Sequence, residues 1–166
     1  MNRLVESLPV GEIVVVGPPF ENPFRPIVFT REDPIGGGPV AAIAAGLQRT
    51  TSEVVVLLAV DMPFAGECIP ALLASPLERD ALIPADESGR LQPLCAVYRT
   101  SALRRATVAL GDVVNKSMNT LLNELHIETL LVNPDLKSKL VDIDTQSDLE
   151  QVLEIYNRKQ REEEEV

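Results

Sequence analysis

The chain has 166 residues, a net charge of −10 and an isoelectric point near 4.6. Its length suits one domain with a real core, and its acidity excludes a nonspecific electrostatic grip on nucleic acid, which needs a basic face. No apolar run approaches membrane-spanning length.

The hydrophobic pattern alternates between short β-rich runs and longer helical stretches. "EIVVVG" at 12–17 is a first strand, closed by glycine and two prolines, and "RPIVFT" at 25–30 is a short second one. "GPVAAIAAGLQRT" at 38–50 reads as an alanine-rich helix, with Pro39 suited to its first turn. "EVVVLLAV" at 53–60 is a strand apolar on both faces, as in a parallel sheet covered on each side. "AGECIPALLAS" at 65–75 is a short helix weakened by Pro70, and "DALIPA" at 80–85 and "LQPLCAVYR" at 91–99 are strands. "SALRRATVAL" and "NKSMNTLLNELH" are helices, "ETLLVN" and "KLVDID" late strands, and a last helix starts near Gln146. The order β-β-α-β-α-β-β-α-α-β-β-α predicts a mostly parallel, layered α/β domain over 1–166. Residues 158–166 are expected to fray, because four successive glutamates repel each other and oppose the helix macrodipole.

Ligands of open parallel sheets bind beyond the carboxyl ends of the strands, and several features sit there. Asp33 follows a strand, and Gly36, Gly37 and Gly38 then open a helix. The glycines allow close backbone approach, and the helix start offers free N–H groups to an anion. A plain turn with a capped helix explains the same residues. Asp61, at the tip of "VVVLLAVD", is placed to bind Mg²⁺, which prefers oxygen ligands. It could equally be the N-cap of the next helix. Asp142 and Asp144 share one face of a strand and could complete a metal site with Asp61, or Asp144 and Thr145 could start the last helix, with Asp148 closing an approximate capping box. Pro93 interrupts a strand and implies an edge or a bulge, which can aim Gln92 and Leu94 at a substrate. His126 has no Ser or Cys motif to pair with. Cys68 and Cys95 form no CxxC or Cys/His cluster and read as reduced core thiols of a cytoplasmic protein.

In order, "EIVVVG", "REDPIGGGPVAAIAAGL", "VVVLLAVDMPF", "DESGRLQPLCAVY", "NKSMNTLLNEL" and "LVDIDTQSDLEQV" resemble the molybdenum cofactor guanylyltransferases, from Val10 to about Leu153. The resemblance implies a Rossmann-like three-layer nucleotidyltransferase fold. It implies transfer of GMP from GTP to molybdopterin, with Mg²⁺ as cofactor and pyrophosphate as leaving group. Carried over, Asp61 matches the catalytic, metal-binding aspartate, and Asp144 would join it at the metal. Asp33, Gly38 and Pro39 match the nucleotide side. Gln92, Pro93 and Leu94 match the "QPL" segment on the acceptor side, and Asp142 falls there too. Asp142 and Asp144 stand where many members have asparagine, a departure that fits relatives with another nucleotide or acceptor.

The family begins with a strand and a loop of the type LAGGxSxRMGxDK, and nothing in 1–166 matches either. That strand lies between those matching "EIVVVG" and "EVVVLLAV", so this chain reads as N-terminally truncated, with two apolar strands lacking their shared neighbour. Such strands invite self-association or a partner that supplies the missing one. The retained site residues favour a fragment of an enzyme. A non-catalytic pterin-binding or accessory protein is the alternative.

Overall fold

The computed structural model describes residues 11–21, 26–85, 88–132, 140, 150 and 153. Asp142, Asp144, most of the strand expected in "KLVDID" and the tail 158–166 lie outside the described residues.

Two short parallel strands come first, β1 (Val14–Val16) and β2 (Val28–Thr30), with Val14 opposite Val28 and Val16 opposite Thr30. Helix α1 (Pro39–Leu47) leads on to β3 (Val54–Leu58). A 3-10 turn (Ala65–Cys68) runs into α2 (Ile69–Ala74). Then come β4 (Ala81–Ala85), β5 (Cys95–Arg99), α3 (Thr100–Leu110), α4 (Met118–Leu122) and β6 (Ile127–Leu131). The order is the one expected from the hydrophobic pattern as far as β6.

β3 to β6 form a sheet in the order β3-β5-β4-β6. β5 is antiparallel to both its neighbours, and β4 is parallel to β6. Hence β3, β4 and β6 point one way, and β5 is reversed among them. Side chains alternate between the two faces. On one face Val55, Leu57, Ala81, Ile83, Ala96 and Tyr98 pack with α1, α3 and α4 through Val40, Ile43, Leu103 and Leu121. On the other, Val56, Leu58, Leu82, Cys95 and Val97 pack with Met62, Ala65, Cys68 and Leu72. Both faces are covered, which is why β3 and β4 are apolar without alternation.

Local chemistry sets the helix ends. Pro39 starts α1, where its missing N–H costs nothing, and Val40, Ile43 and Leu47 form its buried stripe. Ser117 caps α4, its hydroxyl accepting the Thr120 N–H at 3.2 Å.

The strand expected over 91–99 begins only at Cys95. Two prolines explain this. Along β4 the even residues face β5, as the Arg99 N–H to Asp80 carbonyl bond of 2.9 Å shows. Pro84 holds such a position with no N–H to give, and the β4–β5 pairing stops at Leu82. Pro93 lacks an N–H as well, so 92–95 close into a turn, with the Cys95 N–H on the Gln92 carbonyl at 3.1 Å. Beyond the turn, Leu91 bridges to Ala85.

At the other end of the sheet, Asp80 ties β4, β6 and α3 together. One carboxylate oxygen accepts the His126 backbone N–H at 3.0 Å and faces His126 Nδ1 at 3.1 Å. The other meets the Arg105 guanidinium at 3.2 Å. The backbone N–H of His126, above all, holds the Asp80 carboxyl below the usual aspartate value, helped by its ring and by Arg105. Because the folded value is depressed, this contribution is complete above pH ~4 and is lost as the pH falls through the folded value. Asp80→Asn is therefore expected to cost about 1 kcal/mol at pH 7. Urea unfolding curves of mutant and parent should converge as the pH is lowered to about 2. This is the work of His126: it holds a strand junction.

Candidate active site

Three segments gather at the carboxyl ends of the strands. The turn after β3 carries Asp61. The alternative reading of Asp61 as a helix cap is not what the structure holds: Phe64 occupies the cap position of the 3-10 turn and Cys68 that of α2, neither with a side-chain cap. The Asp61 carboxylate is exposed and makes no hydrogen bond or ion pair with a described residue. A strand tip with a free carboxylate is a place for a cation or for a polar ligand.

The second segment, Gln92, Pro93 and Leu94, is brought beside it by the reversal of β5. The Ala59 N–H donates to the Leu94 carbonyl at 2.8 Å, which joins the end of β3 to the turn. The Gln92 N–H donates to the Pro84 carbonyl at 2.9 Å, which joins the end of β4 to it. The Tyr98 hydroxyl donates to the Pro93 carbonyl at 2.8 Å. Burial raises the Tyr98 phenol, so it stays a neutral donor. The turn is thus pinned on three sides.

The third segment is the glycine turn before α1. Gly38 sits at φ 86 and ψ 178, a backbone region open essentially to glycine alone. At Gly37 a Cβ would come within 3.0 Å of the Pro34 carbonyl oxygen and the Ala41 Cβ. Two residues that sequence reasoning missed hold this turn. Glu32 Oε1 accepts the Gly36 N–H at 2.9 Å, and that bond holds the Glu32 carboxyl below its usual value. Asn115, at φ 55, donates its N–H to the Gly37 carbonyl at 2.7 Å. Asn115 tolerates the left-handed conformation because of its short polar side chain, and an asparagine opening the helical run "NKSMNTLLNELH" was the available signal. Asp33 lies exposed in the same turn.

Pro39, Asp61 and Leu94 line one cleft of about 620 Å³, together with β1, β3 and one side of α1. Among the described residues, no three His, Cys, Asp or Glu side chains gather as a metal cluster. Asp61 alone still fits Mg²⁺, which commonly takes one or two protein carboxylates and completes its shell with water and substrate phosphates. The two thiols are not part of the site. Cys95 and Cys68 are buried against each other, and their mutual hydrogen bond, then burial, push the Cys95 thiol up, which makes it inert.

A sequence profile described as the MobA-like NTP transferase domain matches residues 1–129. The chain belongs to that family. A probable molybdenum cofactor guanylyltransferase of Chloroflexus aggregans is 35% identical over 117 residues, covering 66% of this chain and 55% of that protein. This chain therefore spans about half of that relative's length. A probable molybdenum cofactor guanylyltransferase of Carboxydothermus hydrogenoformans is 25% identical over 166 residues, covering 96% of this chain and 84% of the other. Among solved structures, molybdopterin-guanine dinucleotide biosynthesis protein A from Archaeoglobus fulgidus is similar, with 26% identity and a TM-score of 0.55. It covers 80% of this chain and 69% of that one. The 2-C-methyl-D-erythritol 4-phosphate cytidylyltransferase of Thermus thermophilus shares the fold, with a TM-score of 0.62 at 18% identity over 91% of this chain and 83% of that one. The Rossmann-like nucleotidyltransferase fold of the MobA-like family is therefore the fold of this chain. No helix of the described residues is long and apolar enough to cross a membrane.

Proposed function

We propose that residues 1–166 form one nucleotidyltransferase domain, cytoplasmic and Mg²⁺-dependent, that serves the transfer of GMP from GTP to molybdopterin. The observation that carries this reading is the exposed Asp61 carboxylate, unpaired among the described residues, beside the pinned turn at Gln92, Pro93 and Leu94. In this reading Asp61 and Asp144 hold the metal. Asp33, Gly38 and Pro39 meet the nucleotide, with the N–H groups at the start of α1 turned to its phosphates. Gln92, Pro93, Leu94 and Asp142 meet the acceptor. A terminal phosphate oxygen of molybdopterin bonds to the α-phosphorus of GTP, and the bond to the bridging oxygen breaks, releasing pyrophosphate. Mg²⁺ bound there would neutralise charge on the phosphoryl oxygens. The chain's own residues supply position: the turn at 92–94 orients the acceptor and the glycine turn orients the phosphates, and such alignment is worth several powers of ten in rate.

The LAGGxSxRMGxDK-type loop is not found within 1–166. The test is pyrophosphate release from GTP and molybdopterin, with and without such a loop segment and its strand joined ahead of Met1. Turnover is expected only in the extended protein, and a panel of nucleotides and acceptors run alongside reads its preference. Pterin binding by the extended protein with no turnover of any nucleotide would overturn the enzyme reading in favour of an accessory protein.

A further inference from the structure

The turn at 92–95 leaves one backbone donor unused. The Gln92 N–H donates to the Pro84 carbonyl, the Gln92 carbonyl accepts from the Cys95 N–H, and the Leu94 carbonyl accepts from the Ala59 N–H. Pro93 has no N–H, and its carbonyl accepts from the Tyr98 hydroxyl at 2.8 Å. Of the backbone polar groups of 92–94, only the Leu94 N–H has no partner among the described residues.

That N–H and the Pro93 carbonyl belong to one planar trans peptide, so they point opposite ways. The same peptide is the central one of the turn, the unit whose reversal separates a type I turn from a type II turn. Both types keep the closing bond from the Cys95 N–H to the Gln92 carbonyl, so that bond does not choose between them. The bond from Tyr98 does. The Tyr98 ring is fully buried, in one cluster with Val40 and Ile43 of α1 and Leu103 of α3, and close packing leaves its hydroxyl little freedom of place. A Pro93 carbonyl held by that hydroxyl turns the Leu94 N–H away from Tyr98. Leu94 lines the same cleft as Asp61. A reversed peptide would present the Pro93 carbonyl in place of the N–H, and a carbonyl repels an oxygen that an N–H attracts.

We propose that Tyr98 is a positioning residue: it locks the peptide between Pro93 and Leu94 so that the Leu94 N–H is presented to an oxygen of the acceptor. The inference rests on the reading of 92–94 as the acceptor side. Tyr98 also packs beneath α1, the helix opened by the glycine turn, so one side chain ties the core under the nucleotide side to the turn on the acceptor side.

Tyr98→Phe removes the hydroxyl and keeps the ring. In the 166-residue chain, amide hydrogen exchange at Gln92 and Cys95 is expected to quicken by about threefold to tenfold, with little change at Val55 and Leu57, which lie in the β3–β5 ladder. In the loop-extended protein the KM for molybdopterin should rise by about fivefold or more, while the KM for GTP stays within about twofold of the parent. Ile83→Val, in the same core cluster, is the control for lost stability: it should lower the melting temperature and leave both KM values at the parent level. If the extended parent binds the pterin without turnover, its dissociation constant takes the place of the KM, and the same change is expected. Unchanged exchange at Gln92 and Cys95, a parent-like KM for molybdopterin in Tyr98→Phe, an equal rise in both KM values, or the same split in Ile83→Val would each overturn the proposal. An extended parent that neither turns over nor binds molybdopterin would overturn the reading of 92–94 as the acceptor side, and the proposal with it.

Discussion

Asp61→Asn, made in a protein that carries the glycine-rich loop ahead of Met1, is expected to lower the rate of pyrophosphate release by about 100-fold or more. The melting temperature should stay within about 2 °C of the parent. The separation of the two readouts follows from the environment of this carboxylate. It is exposed, caps no helix and pairs with no described residue. No described residue pairs with its charge, so a loss of rate at unchanged melting temperature would belong to the chemistry. Had Asp61 been a cap, the same change would have cost stability first, by about 1 kcal/mol. A titration of Mg²⁺ against both proteins completes the test. A parent-like metal dependence in Asp61→Asn would remove Asp61 from the metal site.

Gly38→Ala is the second large effect. The nearest heavy atom to an added Cβ is the Asn115 Cα at 3.6 Å, an ordinary contact, so the substitution meets no wall. The penalty is conformational. At φ 86 and ψ 178 an alanine is strained by about 1–3 kcal/mol. The chain can relieve that strain by shifting the start of α1, and such a shift breaks the 2.7 Å bond between Asn115 and Gly37. A fall in melting temperature of roughly 3–10 °C is expected, with weaker GTP binding by calorimetry in the loop-extended protein. Gly38→Ala with unchanged melting and unchanged binding would mean that the turn is not held in this conformation.

The two effects share a cause in topology. β5 runs backwards between β3 and β4, and this places residues 92–94 beside the turn that carries Asp61. The prolines at 84 and 93 stop the ladder at that point and leave room for the turn. The turn at 92–94 is therefore a product of strand direction and of two missing N–H groups.

Much of this was legible along the chain. The run at 53–60 reads as a strand covered on both sides, and β3 is such a strand, because apolar side chains on both faces need two covering layers. The alanine-rich stretch opened by Gly38 and Pro39 reads as a helix, because proline fits a first turn and alanine the rest. Other features had no local signal. An apolar strand has the same period whichever way it runs, so the reversal of β5 and the order β3-β5-β4-β6 came only from pairing in space. Asp61 could cap a helix or stand free, and the choice depended on where the next turn of helix begins, which packing of Ala65, Cys68 and Leu72 against the sheet decides. The contact of Asn115 with the glycine turn joins segments far apart in sequence, where no spacing rule reaches. Local pattern thus determined the elements and the candidate carboxylates, since both follow from side-chain chemistry over a few residues. Tertiary structure alone decided which of them meet, because strand pairing and the closing of long loops are not local.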